Sequence, residues 1–125
     1  LRIEEEREML VTREFDFSSA HRLVEYEGRC ENLHGHTYRL SVTVEAPMGK
    51  DGMAFDFIRL KEIVRKEVVD VLDHRFLNDI IPQSTAENIA IWSWKALADL
   101  LPLHEIRLYE SPDSYVTYRG EEEGS

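Results

Sequence analysis

The order of elements along this chain predicts an α+β domain, an antiparallel four-stranded sheet with two helices on one face. Three observations predict it. Two early stretches alternate apolar and polar residues, two middle stretches place apolar residues at helical spacing behind capping residues, and two short β-rich runs flank a turn near the end. Strands grouped in pairs, rather than alternating singly with helices, favour antiparallel pairing with the helices on one side.

The first strand runs from Met9 to Phe17, with Met9, Val11, Arg13, Phe15 and Phe17 in one register and Thr12, Glu14 and Asp16 in the other. The second, from His36 to Ala46, is cleaner: Tyr38, Leu40, Val42 and Val44 alternate with Arg39, Ser41, Thr43 and Glu45. Pro47 and the stretch from Gly49 to Gly52 break that pattern. Asp56 is then placed to cap a helix carrying Phe57, Leu60, Ile63, Val64, Val68, Val71 and Leu72, ending near Asp73-His74. Ser84-Thr85-Ala86-Glu87 reads as a capping box with Ser84 at the cap. It opens a second helix with Ile89, Ala90, Trp94, Leu97 and Leu101, closed by Pro102. Glu105 to Glu110 and Tyr115 to Arg119 form a hairpin around Pro112-Asp113. The sheet face rich in Thr, Ser, Arg and Glu is expected to be wet or to meet another subunit.

With 125 residues, 42% apolar and 32% charged, the chain has the balance of one folded domain, placed at 9–119 between an acidic extension (1–8) and an acidic tail (120–125). The formal charge is −10, of which residues 1–8 supply −2 and residues 121–123 supply −3. Such an excess of acid argues against an electrostatic nucleic-acid binder or a basic membrane-surface protein, both of which need cationic surface. Cys30 is the single cysteine, so no disulfide forms within the chain. No apolar run approaches about 18 residues, and Leu1 to Glu8 is acidic where a secretory segment is apolar. A reducing cytoplasm is the expected setting.

His34-Gly35-His36 is the first chemical signal, because residues two apart on a strand project to one face and two imidazoles can converge on a metal. His36 continues the register of Tyr38, Leu40, Val42 and Val44, and His21 that of Phe15 and Phe17, if the strands extend so far. One histidine on an apolar face is ordinarily a hydrogen-bonded core residue. Three from neighbouring strands favour a metal, and three neutral nitrogen donors suit Zn²⁺ with a coordination position left open. Cys30, four residues before His34, has three readings: a further metal ligand, a thiolate base beside the metal, or a small buried hydrophobe. Asp73-His74 forms a carboxylate–imidazole pair only where the backbone leaves the helix, since adjacent helical residues point about 100° apart. His104 stands apart and reads as structural.

These pieces resemble the 6-pyruvoyl-tetrahydropterin synthase family, in particular its 6-carboxy-5,6,7,8-tetrahydropterin synthase branch. The resemblance rests on Phe17-Ser18-Ser19-Ala20-His21, Cys30 to Tyr38, Gly52-Met53 with Asp56-Phe57, Leu72-Asp73-His74 with Leu77-Asn78, Thr85 to Ala90, and Glu110. It implies the tunnelling fold (T-fold), ββααββ, assembled into an oligomeric barrel, commonly a hexamer of two trimers. It also implies Zn²⁺ on His21, His34 and His36, Cys30 as general base, and Asp73 with His74 as a proton relay. Glu110, Thr85 and Glu87 would line the pterin pocket, Glu110 also joining the relay. The implied substrate is 7,8-dihydroneopterin triphosphate. The carboxy branch releases acetaldehyde and triphosphate in the queuosine pathway, with Zn²⁺ as Lewis acid; the pyruvoyl branch retains and rearranges the side chain. The spacing Cys30 to His34 to His36 resembles the first branch and Ser84-Thr85 the second. Arg22, Arg29 and Arg39 are candidate triphosphate cations by proximity. A protein that keeps the fold and binds zinc or pterin without catalysis is the alternative of a different class.

Overall fold

In the computed structural model, which describes residues 8–23 and 32–120, β1 (Glu8–His21) and β2 (His34–Pro47) form a long antiparallel pair. β3 (Leu103–Ser111) pairs with β2 and β4 (Ser114–Tyr118) with β3, so the sheet runs β1-β2-β3-β4 with every pairing antiparallel. Alternation of apolar side chains ends at Phe17, yet β1 continues to His21. Its last residues are held by the end of the first helix: Ser19 Oγ donates to the Leu72 carbonyl, and the Ala20 amide donates to Arg75 O at 3.0 Å. β2 likewise begins at His34 rather than His36, paired with β1 to its first residue.

Asp56 caps α1 (Phe57–Val64) as expected, its Oδ1 accepting the Ile58 amide at 2.9 Å. The helix continues through a π-helical segment, Arg65–Val69, into a last turn, α2 (Asp70–Leu72). α3 (Ala86–Leu97) differs from expectation at both ends. Its cap is Thr85, whose Oγ1 accepts the Asn88 amide at 3.1 Å, because Ser84 is fully buried and turned toward His21. It ends at Leu97, where the Ala98 amide bonds to Trp94 O. Pro102 therefore does not close the helix; it leads into β3, its carbonyl accepting the Glu45 amide.

The core lies between the helices and one sheet face. Phe15, Phe17, Leu40, Val42, Val44, Ile106 and Leu108 of the sheet meet Leu60, Val64, Val68 and Leu72 of the first helix and Ile89, Ala90 and Leu97 of α3. Position 120, expected in the tail, is packed as well. Gly120 has φ +75°, and a Cβ there would sit 2.5 Å from the Trp94 ring, so glycine is required on both counts. The opposite sheet face is polar but cross-linked: Thr12 and Thr43 share a 2.6 Å hydroxyl bond, Arg39 Nε donates to Asp16, and Glu105 holds both Arg107 and Arg119. Ser41 and Thr43 on that face are buried already within one chain. Among the described residues no helix is long and apolar enough to cross a membrane.

Candidate metal centre and the clefts around it

Strand register assembles the histidines. His21 pairs directly with His34, and Ser19 with His36, so all three rings rise from one end of the β1–β2 ladder on the face that carries Phe17 and Tyr38. Ring centroids are 4.7 Å apart for His21–His34 and His34–His36, and 5.1 Å for His21–His36. One ligand nitrogen from each ring lies within 4.8 Å of the others.

Two of the rings are already turned for this. His21 is 1% exposed, and its Nδ1 sits 2.7 Å from the Ser84 carbonyl. His34 Nδ1 lies 3.0 Å from Asn32 O. Each carbonyl accepts a hydrogen from Nδ1, which leaves the lone pair of a neutral ring on Nε2. The buried Nε2 of His21 makes no hydrogen bond among the described residues. Glu110 Oε2 stands 3.6 Å from that nitrogen and 3.7 Å from Nε2 of His36, a negative charge that favours a cation between the rings. This donor set, three imidazoles with a nearby carboxylate, fits a borderline ion such as Zn²⁺.

The Asp73-His74 pair forms because the chain leaves the helix there. Asp73 is extended (φ −70°, ψ 135°), His74 is left-handed at φ +57°, and His74 Nδ1 reaches Asp73 Oδ2 at 3.0 Å. Ser18 anchors both residues: its amide donates to Asp73 Oδ1 at 2.9 Å, and its carbonyl accepts the His74 amide at 2.6 Å. The Ser18 bond is the main reason the Asp73 carboxyl lies below its ordinary pKa; desolvation opposes it and His74 adds to it.

Two clefts meet at His36, and a third adjoins one of them at Glu110. One of about 610 Å³ joins His36 to Ser18, His74, Arg75 and Phe76. Another of about 440 Å³ joins His36 to Asp16, Arg39, Tyr109 and Glu110. The third, about 250 Å³, brings Glu110 together with Thr85, Glu87, Leu23 and Tyr115. Thus His21, His34, His36, His74 and Glu110 converge, and Thr85 and Glu87 reach the same region through Glu110. Cys30 and Arg29 lie outside the described residues. Arg39 lines a cleft but is held by Asp16 at 3.1 Å and Glu14 at 4.0 Å, and the backbone of Arg22 is bound to Asn78.

Sequence reasoning missed four contributors. The Ser84 carbonyl orients His21, Asn78 braces the loop that carries it, and Arg75 lines the largest cleft. Tyr38, expected as core, is fully buried with its ring edge-on to His21 and His36 at 5.9 and 5.4 Å. Burial, then the Glu110 charge, pushes its phenol far above the ordinary range. Asn78 and Tyr38 left a trace beforehand, as parts of the Leu77-Asn78 and Cys30-to-Tyr38 matches, and Ser84 in the Ser84-Thr85 one; Arg75 left none.

A family model described as 6-pyruvoyl tetrahydropterin synthase matches residues 10–121. The chain belongs to the 6-pyruvoyl tetrahydropterin synthase family. Among its relatives, 6-pyruvoyl tetrahydrobiopterin synthase of Dictyostelium discoideum is 35% identical, with 92% of this chain and 98% of that protein covered. The 6-carboxy-5,6,7,8-tetrahydropterin synthase of Haemophilus influenzae is 34% identical, covering 87% and 97%. The structure of 6-pyruvoyl tetrahydropterin synthase from Caenorhabditis elegans superposes with a TM-score of 0.82 at 28% identity, over 94% of this chain and 99% of that one. Membership in the synthase family therefore carries the T-fold expected from the sequence, and tetrahydropterin synthases of both branches are comparably similar to this chain.

Proposed function

We propose that this protein is a zinc-dependent lyase that converts 7,8-dihydroneopterin triphosphate to 6-carboxy-5,6,7,8-tetrahydropterin, releasing acetaldehyde and triphosphate, in the cytoplasm. The observation that carries the reading is the cluster of His21, His34 and His36, with two rings already fixed to present Nε2. These three residues would hold Zn²⁺, which supplies Lewis-acid polarisation of substrate oxygens when bound. Cys30 removes a proton from the substrate side chain as general base. His74, fixed by Asp73 and widely exposed to the largest cleft, carries protons to and from solvent. The Glu110 carboxylate accepts from the N–H edge of the pterin, and Thr85 and Glu87 bound the same cleft. Arg75, beside His74, is the cation offered to the triphosphate in place of Arg39, which two carboxylates already hold.

Incubating zinc-loaded protein with 7,8-dihydroneopterin triphosphate and separating the products tests this directly. Acetaldehyde together with a carboxylated pterin is the expected result. Ser84-Thr85 and the 35% identical pyruvoyl-branch relative favour a second reading, elimination of triphosphate to a 6-pyruvoyl product. That reading is met if triphosphate appears without acetaldehyde. No turnover with zinc fully bound would leave only a binding role. We further propose that the domain works as an oligomeric barrel, a hexamer of two trimers, built on the polar sheet face.

A further inference from the structure

Asn78 uses every hydrogen-bonding position of its side-chain amide. Its Nδ2 donates to the carbonyls of Arg22 and Pro82, each at 2.8 Å, while Oδ1 accepts from the Arg22 amide at 3.0 Å and the Ser84 hydroxyl at 3.3 Å. The reversed amide would set oxygen against two carbonyl oxygens, so only this orientation satisfies the site. Arg22 follows His21, and Pro82 precedes Ser84 by two residues. One side chain therefore clips the end of β1 to the loop that enters α3.

Across this clip, Nδ1 of His21 faces the Ser84 carbonyl at 2.7 Å and Ser84 Oγ at 3.4 Å. A carbonyl oxygen accepts and cannot donate, so Nδ1 at this distance carries the hydrogen and Nε2 of the neutral ring carries the lone pair. His21 and Ser84 are 1% and 0% exposed, which leaves solvent little opportunity to compete for either group. The carbonyl can impose the tautomer only while its own position is fixed; on one side it is held by the Thr85 cap of α3 and on the other by Asn78 at the Pro82 carbonyl together with Asn88 at the Gln83 carbonyl.

We propose that Asn78, acting through the Ser84 carbonyl, is a positioning residue that presets His21 as an Nε2 ligand before any metal arrives. This rests on the reading of His21 as a metal ligand. Removing the clip frees the carbonyl, lets the ring sample both tautomers, and lowers metal affinity by about 10- to 100-fold, the range for partners that orient metal-bound histidines.

The test uses the whole chain without metal. Nitrogen-15 NMR of the histidine rings, at a pH where they are neutral, is expected to show His21 as the Nδ1–H tautomer; an Nε2–H tautomer overturns the proposal. Asn78→Asp keeps the size and both acceptor positions but loses the Nδ2 donors. It should show mixed tautomers for His21 and bind Zn²⁺ at least about 10-fold more weakly in chelator competition, even though its added negative charge by itself favours a cation. Ser84→Ala, which keeps the carbonyl, should lose less affinity than Asn78→Asp. His21→Ala separates the two readings. If it loses zinc while Asn78→Asp binds like the wild type with an unchanged ring spectrum, the positioning role is overturned and the metal site stands; if His21→Ala binds zinc normally, the ligand assignment itself falls. Should Asn78→Asp not fold, Asn78→Ser, which keeps one donor and one acceptor, takes its place with the same outcomes.

Discussion

His74 works with Asp73 because the backbone turns left-handed between the helix end and the strand it meets, at φ +57°. Both residues are tied to Ser18, so the pair is placed by β1 as much as by its own helix. The pH consequence follows from sign. The Asp73 carboxyl is depressed in the folded state, chiefly by the Ser18 amide, so its contribution to stability is complete above the unfolded aspartate value near pH 4 and is lost as pH falls through the lower folded value. Asp73→Asn should therefore be less stable than the wild type at neutral pH, where the contribution is complete, with the difference shrinking as pH falls and a shallower acid limb in the metal-free protein, as read from thermal melts across pH. At the metal centre, His34→Ala should lose most bound zinc because one of three protein donors is gone; unchanged metal by elemental analysis would remove His34 from the site. Cys30→Ala should keep zinc and lose turnover, whereas a fall in zinc stoichiometry would make Cys30 a ligand. The histidine triad was legible from the His34-Gly35-His36 spacing, strand parity and the family resemblance together, since spacing and alternation are local. Ser84 was misread as a helix cap because its partner, His21, is 63 residues away.

At the scale of elements, the ends decide function. β1 runs past its alternating stretch because the turn after α2 hydrogen-bonds to Ala20, and that extension carries His21 into place. The start of α3 divides two tasks between neighbouring residues: Thr85 caps the helix and Ser84 faces His21. Thr85→Ala should cost about 1 kcal/mol, lowering the melting temperature of the metal-free protein by about 4 °C. Thr85→Ser, which keeps the hydroxyl, should recover most of the loss. An equal loss in both would deny Thr85 its capping role. Helix existence and strand order were legible because each rests on periodicity within the element. The cap and the true end of α3 were not, because Ser84 and Pro102 are each claimed by another part of the chain.

Across the whole molecule, the sheet presents its helix-covered face to the core and has β1 and β4 as its edge strands among the described residues. Among the described residues the β1 edge is covered from Ser18 to Ala20 by His74 to Phe76, and edge strands are where another chain can add its own backbone pairing. The opposite face, with Ser41 and Thr43 buried and its arginines held by carboxylates, suits contact with further copies better than bulk water. Native mass spectrometry should find an assembly, six copies being the expected number; a monomer at working concentration would remove the shared-barrel proposal. The amino-acid sequence by itself determined the α+β class, the order of strands and helices, the core-facing register, and the three histidines, because alternation and helical spacing are written in neighbouring residues. Only the tertiary structure decided that His21 stands opposite His34, that Asp73 and His74 meet, and that a carbonyl braced by Asn78 sets the His21 ring. Each depends on segments apart in the chain, the adjacent Asp73 and His74 through Ser18, and partners at that separation leave no periodic trace.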